Sequence, residues 1–314
     1  MTQSPHPNPN TTDFLLVNPA AGGGRASRVL PSLRKYAEEQ GWQVEIYVAR
    51  SAADLAAKAR CVAGQGYRRL LVLGGDGTFQ TLLNAVIDYP HLVLGVIPAG
   101  GGNDLAASLG LPEDPIRAAA LLQGETSQMD AVRVRTSDGR ERLYAGGGGM
   151  GLDAEAARYA SGVYRNLRGR FRYLVAAIRA LFGFKAIPVR ITMGTGEPRI
   201  LHTVALLVGV LNTPSYGAGL YLAPDAQTDD GCLDLVVLEE LTVPEILALL
   251  PALCLKGRLQ TRKVLRFRVD HVRIEAEKPC SFHGDGEILG LTPVDISVLP
   301  KAFCVLRNAR GGAS

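Results

Sequence analysis

Apolar runs and polar, glycine-bearing turns alternate along the first two-fifths of the chain. Residues 14–17 (FLLV), 70–73 (LLVL) and 92–97 (LVLGVI) are unbroken apolar runs, as expected of strands buried on both faces, while 44–48 alternates as a half-buried strand. Between them, 29–40 carries apolar residues at helical spacing and closes at Gly41. Residues 52–63 read as an alanine-rich helix with Asp54 in its first turn, and 79–87 and 116–122 as two more helices. This alternation predicts an α/β fold, a doubly wound parallel sheet that binds ligands at the carboxyl ends of its strands. After Met129-Asp130 the pattern changes. Short strand candidates follow at 132–135, 142–144, 189–192, 204–210, 233–238, 264–269, 272–276 and 296–299, interrupted by helical stretches at 173–182 and 243–255. Ser137-Asp138-Gly139-Arg140 reads as a hairpin loop. The second half is therefore expected to be a mostly antiparallel, β-rich domain. The expected division is a disordered tail over 1–12, an α/β domain over 13–132 completed by 300–314, and the β-rich domain over 133–299. No low-complexity linker intervenes, so the active site is expected in a cleft between the two.

At 314 residues, 47% hydrophobic and 20% charged, the chain has room for both domains. No apolar stretch reaches the roughly 18 residues that cross a bilayer. The longest, 201–211 and 246–255, suit a buried strand and a buried helix. The N-terminal MTQSPHPNPNTTD has no apolar core and reads as a tail rather than a secretion signal. Cysteines 61, 232, 254, 280 and 304 form no C-x-x-C pair and fit reduced thiols in a cytoplasmic protein. The net charge of +4 hides an uneven distribution. No acidic residue lies between Glu155 and Glu197, whereas Arg158, Arg165, Arg168, Arg170, Arg172, Arg179, Lys185 and Arg190 do; 256–273 holds seven Lys or Arg against Asp270. Such stretches point to an anionic partner, lipid headgroups or nucleic acid. No nucleic-acid-binding motif coincides with them, which leaves nucleic acid the weaker reading. The mixture of Arg with Phe, Tyr, Leu and Ile over 164–184 suits an interfacial helix on an anionic bilayer, or a solvated basic helix.

Three predicted strands end in glycine-rich turns: Asn18-Pro19-Ala20-Ala21-Gly22-Gly23-Gly24, Gly74-Gly75-Asp76-Gly77-Thr78 and Pro98-Ala99-Gly100-Gly101-Gly102-Asn103-Asp104. Glycine lets backbone N–H groups approach an anion, and a following helix N-terminus adds positive partial charge. Asp76 and Asp104 would repel a phosphate unless a cation lay between, so the pair suggests a Mg²⁺-nucleotide site. The alternative is a set of tight turns without a ligand.

Taken in order, these turns and the later motifs resemble the diacylglycerol kinase-like lipid kinases, relatives of sphingosine and ceramide kinases. Asn18-Pro19-Ala20-Ala21-Gly22 is similar to the family's NPxxG loop, Gly74-Gly75-Asp76-Gly77-Thr78 to its GGDGT signature, and Pro98 to Asp104 to its P-x-G-T-x-N-D segment. Met129-Asp130, Gly149-Met150-Gly151-Leu152-Asp153-Ala154, Asp229-Asp230-Gly231-Cys232-Leu233-Asp234 and Gly284-Asp285-Gly286-Glu287 resemble the elements that follow. The resemblance implies transfer of the γ-phosphate of ATP, with Mg²⁺, to the hydroxyl of a membrane lipid such as diacylglycerol. It implies nucleotide contacts from Asn18, Pro19, Gly22, Gly74, Gly75, Asp76, Gly77, Thr78, Gly100, Gly101 and Asn103. A catalytic magnesium network of Asp76, Asp104 and Asp130 is implied, and a structural magnesium on Asp230 with the backbone carbonyls of Gln227 and Cys232. Asp285 would be the general base with Glu287 in support, and His283 beside it a packing or surface residue. A cytoplasmic enzyme is implied, peripheral on the inner membrane surface through 158–190 and 256–273. A homodimer is left open.

Departures from the family pattern concentrate on the nucleotide side. Gly101 stands where a threonine is usual, Gln80-Thr81 where Asn-Glu is usual, and Gly146 where an asparagine precedes the GxGxDA element. Ala49 aligns with a threonine near the second strand's end. Nucleotide affinity and choice are the properties these changes touch. The competing readings are a non-catalytic nucleotide- or lipid-binding protein and an NAD kinase-like small-molecule kinase.

Overall fold

A computed structural model describes residues 12–122, 124–163, 175, 176, 179, 180, 184–217, 219–255 and 261–308. The expected tail lies outside them, as do most of 164–184 and the start of the basic stretch 256–273. The elements begin β1 (Asp13–Val17), α1 (Ala21–Glu39), β2 (Val44–Val48), α2 (Ala52–Gly64), β3 (Arg69–Gly74), α3 (Asp76–Val86), β4 (Val93–Pro98), α4 (Asp104–Ser108) and α5 (Pro115–Leu121). They continue with β5 (Glu125–Arg135), β6 (Glu141–Tyr144), β7 (Gly147–Gly151), α6 (Leu152–Ser161), β8 (Ile187–Met193), β9 (Arg199–Leu211) and β10 (Leu233–Glu239). The last are α7 (Val243–Cys254), β11 (Val264–Val269), β12 (His271–Ala276), β13 (Ser281–Gly284), β14 (Glu287–Leu291) and β15 (Val294–Arg307). Two units result. The first runs to Gly100, resumes over Leu109–Gln128 and takes the chain from Phe303 on; the second holds Gly101–Ser108 and Met129–Ala302.

In the first unit the strands lie in the order β2, β1, β3, β4 and the end of β15, all parallel: Leu15 pairs with Ile46 and Leu71, Leu71 with Gly95, and Val93 with Cys304. Every residue of β1 is buried, and Leu15, Leu16, Leu70, Leu71 and Val72 are fully so. Each such side chain contributes about 1.5–3 kcal/mol by leaving water. Asp13 at the strand's start is the polar exception; it pairs with Arg69 at 3.1 Å and accepts from the Trp42 indole at 2.6 Å. Helices start where the sequence caps them. Ser51 accepts the Asp54 N–H at the head of α2, and Asp114 the Arg117 N–H at the head of α5. α1 becomes regular only after Gly22, Gly23 and Gly24, which have φ of 59°, 62° and 82°.

The second unit is antiparallel around β9, whose thirteen residues extend well past the apolar core of that run. On one edge, 207–211 pairs with β7 and 199–205 with β8; the other edge takes β10. β7 continues to β13 and β14, β8 to β12 and then β15, β10 to β11, and β5 pairs with β6. Val132, Tyr144, Met150, Ile191, Val208, Leu235, Val272, Phe282 and Ile296 fill the core between them. α7 is half-buried rather than buried: Leu253 is inside, Pro244 and Pro251 are exposed, and Leu255 just beyond is 78% exposed.

Candidate active site

Asn18 leaves the end of β1 and ties it to β3. Its N–H donates to the Leu73 carbonyl at 3.1 Å, its Nδ2 to Thr78 Oγ1 at 3.0 Å, and its Oδ1 accepts from the Ala20 N–H at 3.2 Å. With strands ordered 2-1-3-4, β1 and β3 flank the point where the connections reverse, where open parallel sheets bind ligands. Gly75 enters α3 with extended backbone and no side-chain cap, and the first turn carries the helix's positive end. The turn admits no bulk. A Cβ on Gly74 would lie 2.5 Å from the Thr78 side chain, and one on Gly22 only 2.2 Å from the Ala99 carbonyl oxygen. Asn18, Pro19, Gly22, Gly74, Gly75, Asp76, Gly77, Thr78 and Gly100 all belong to this unit. Together the turns fit a phosphate cradle.

In the second unit Asp285 and Gly286 are the two central residues of the β13–β14 hairpin, with φ of 49° and 84°. Two left-handed residues make the tight turn that matches strand twist, and Asp-Gly is a preferred pair for it. The Asp285 carboxylate is thereby held against three successive backbone donors. Oδ2 accepts the Ala145 N–H at 2.9 Å; Oδ1 accepts those of Gly146 at 3.0 Å and Gly147 at 3.2 Å. Burial of the charge outweighs these donors and, with the negative charge of Asp104 adding to it, pushes the carboxyl up to about 6. A carboxylate has about four acceptor positions, so Oδ2 keeps the capacity to take a further proton donor. Glycine is what permits the approach. A Cβ on Gly146 would lie 2.9 Å from Asp285 Oδ1, and on Gly147 and Gly148 it would meet the rings of Tyr216 and Tyr144 at 2.7 and 2.9 Å. Tyr144 is fixed in turn by its hydroxyl donating to the Val210 carbonyl at 2.9 Å.

Gly101, Asn103 and Asp104 belong to this second unit. Asp104 opens α4 and accepts the Gly219 N–H at 2.7 Å, and Asn103, buried, has φ of 61°. Glu287 starts β14 as an exposed residue. His283 is a packing residue, buried, stacked on Tyr216 and 2.5 Å from its hydroxyl.

Two of the proposed metal residues already have partners in the protein. Asp130 lies inside β5, with no exposed surface, and its two oxygens accept the N–H groups of Gly231 at 2.7 Å and Lys301 at 2.6 Å. Both oxygens therefore tie backbone segments together. Asp130→Ala would remove the buried acceptor of both N–H groups, each charge-assisted bond worth about 1.5–3 kcal/mol. A loss of about 3–5 kcal/mol in urea unfolding is expected, and a loss below 1 kcal/mol would refute this role. Asp230, expected to hold a structural magnesium with the backbone of Gln227 and Cys232, pairs with the Arg268 guanidinium and accepts the Cys232 N–H at 2.9 Å. An ion there would have to displace Arg268. Among the described residues no group of three or more His, Cys, Asp or Glu is placed to hold a metal. Mg²⁺ asks for less: one or two carboxylates with phosphates and water complete its shell. Asp76 and Asp104, each in the first turn of a helix, are donors of that kind.

The basic stretches are less free than their composition suggests. Arg190 pairs with Glu275, Lys263 with Glu245, Arg268 with Asp230 and Arg273 with Asp295. No helix among the described residues is long and apolar enough to cross a membrane. A cavity of about 540 Å³ on the outer face of β8 and β9, lined by Pro188, Arg190, His202, Val204 and Glu275, contains none of the motif residues.

Known proteins match both units. The family model described as the diacylglycerol kinase catalytic domain matches residues 13–134, and the YegS C-terminal NAD kinase beta sandwich-like domain matches 146–307. A diacylglycerol kinase of Mycobacterium tuberculosis is 29% identical over 298 residues, 94% of this chain and 95% of its own length. A diacylglycerol kinase of Staphylococcus carnosus is 24% identical over 283 residues, 90% of each chain. A solved diacylglycerol kinase structure from Bacillus anthracis, 22% identical, superposes with a TM-score of 0.72 over 95% of this chain and 97% of its own. At that identity the likeness shows the fold.

Proposed function

The chain belongs to the diacylglycerol kinase-like lipid kinase family and is a kinase, and we propose that it transfers the γ-phosphate of ATP to the hydroxyl of a membrane lipid such as diacylglycerol. The observation that carries this reading is Asp285, presented on a tight hairpin with one carboxylate oxygen held by two N–H groups and the other by one. Phosphoryl transfer proceeds through a loose transition state, so the protein's work is positioning and charge neutralisation. The turns at Asn18 to Gly22 and Gly74 to Thr78, with Gly100, cradle the phosphates, and Gly101 and Asn103 are further candidate nucleotide contacts. Asp76 would be a ligand of Mg²⁺, which would neutralise phosphate charge when bound, and Asp104 is a second candidate carboxylate. Asp285 accepts the proton of the lipid hydroxyl at Oδ2. Raised to about 6, it is a better base than an ordinary aspartate and still largely ionised at neutral pH. Glu287 supports it from the next position. The enzyme works in the cytoplasm at the inner membrane surface, with 158–190 and 256–273 meeting anionic headgroups.

Incubation with labelled ATP, Mg²⁺ and vesicles of total lipid extract tests the reading. A labelled phospholipid is expected, its identity naming the acceptor. ATP or vesicle binding with no labelled lipid overturns it in favour of a binding protein. Labelling of NAD in a parallel reaction overturns it in favour of a small-molecule kinase.

A further inference from the structure

Asn212 directly follows β9, has no exposed surface, and has no place in the chemistry above. Its Nδ2 donates to the carbonyl oxygens of Asp130 and Ala145, both at 3.0 Å, and its own N–H to the Gly146 carbonyl at 2.8 Å. Two acceptors settle which end of the amide is nitrogen, since the flipped amide would set Oδ1 against two carbonyl oxygens. Oδ1 is therefore the end that lies buried without a hydrogen-bond donor. A buried acceptor left unmade costs stability, so packing does not account for asparagine at this position.

What Asn212 grips does. The peptide bond is planar, so fixing a carbonyl also aims the N–H of the next residue. The Ala145 carbonyl shares a plane with the Gly146 N–H, and the Gly146 carbonyl with the Gly147 N–H. These are the two donors to Asp285 Oδ1. Asn212 thus clamps, through side chain and backbone, both peptides that restrain one carboxylate oxygen, and leaves Oδ2 with a single donor. We propose that Asn212 is a positioning residue for Asp285, holding the 145–146 and 146–147 peptides so that Oδ1 is fixed and Oδ2 faces the acceptor hydroxyl. The role rests on Asp285 being the base.

Asn212→Ala removes the clamp; Asn212→Asp keeps its shape but turns a carboxyl oxygen against a backbone carbonyl, and carries the test if the alanine variant does not fold. In either, amide hydrogen exchange at Gly146 and Gly147 is expected to accelerate at least about ten-fold while Leu71 in β3 and Leu235 in β10 keep their protection. Turnover with labelled ATP, Mg²⁺ and vesicles of total lipid extract is expected to fall about 10–100-fold. Unchanged exchange at Gly146 and Gly147 overturns the proposal, as does equal acceleration at Leu235, which would mark a merely structural residue. Asp285→Asn in parallel separates the two readings. Full turnover there removes the base and the positioning role with it. An inactive Asp285→Asn beside an Asn212 variant with loosened glycines and intact turnover overturns the part of Asn212 alone.

Discussion

Asp285→Asn should lower lipid phosphorylation by about 10²–10⁴-fold, the usual contribution of a positioned general base. The amide keeps the size of the carboxylate and can still accept from the Gly146 and Gly147 N–H groups, so the hairpin should persist and the loss should fall on kcat. The wild-type rate carries a second signature. Desolvation, the largest influence, and the charge of Asp104 raise this carboxyl, and only its ionised form can accept a proton. The rate in kcat/KM should therefore climb tenfold per pH unit on the acid side and level off above about 6. A plateau reached near pH 4, or full turnover in Asp285→Asn, would remove the base assignment.

Gly22→Ala should have the other large effect, and on the nucleotide side alone. Gly22 has φ of 59° and leaves no room, since a Cβ there would sit 2.2 Å from the backbone oxygen of Ala99. A backbone oxygen cannot rotate away like a flexible side chain. Left-handed geometry costs a non-glycine residue about 1–2 kcal/mol and overpacking another 1–3 kcal/mol. The expected destabilisation is about 2–5 kcal/mol, with ATP affinity falling as the loop between β1 and α1 shifts. Thermal melting and ATP titration of the folded fraction check it. A variant that melts within 2 °C of wild type and binds ATP normally would show that the loop yields cheaply.

The parallel sheet could be read from the sequence because its signals are local: an apolar run, a glycine turn and a helix recur at short range. The Asp285 motif could be read for the same reason. β7 could not. Residues 146–151 are GGGGMG, which carry no alternation, and the strand is imposed by its ladders to β9 and β13 under the rings of Tyr144 and Tyr216. Nor could β5, which starts at Glu125 in a polar stretch without strand pattern. Asn212 follows an apolar run like any loop residue; its partners lie 67 and 82 positions away. The ion pairs of the basic stretches could not be read either, because a sum of charges along the chain does not register that Arg190, Arg268 and Arg273 meet carboxylates from other strands or loops.

The raised carboxyl of Asp285 also bears on how the protein stores its proton. An aspartate that releases its proton near 3.8 when unfolded and near 6 when folded binds that proton more tightly in the native state. Its contribution to folding is therefore complete below pH 4 and is lost as the pH rises through 6, by about 3 kcal/mol at 1.36 kcal/mol per unit. This is opposite in sign to the ordinary acid denaturation of paired carboxylates. The melting temperature of the wild type minus that of Asp285→Asn should fall between pH 4 and pH 7, and a difference that stays flat would mean the charge is not buried at all. At neutral pH the fold thus keeps this carboxylate ionised at a cost in folding stability, and that ionised form is the one able to accept a proton from a hydroxyl.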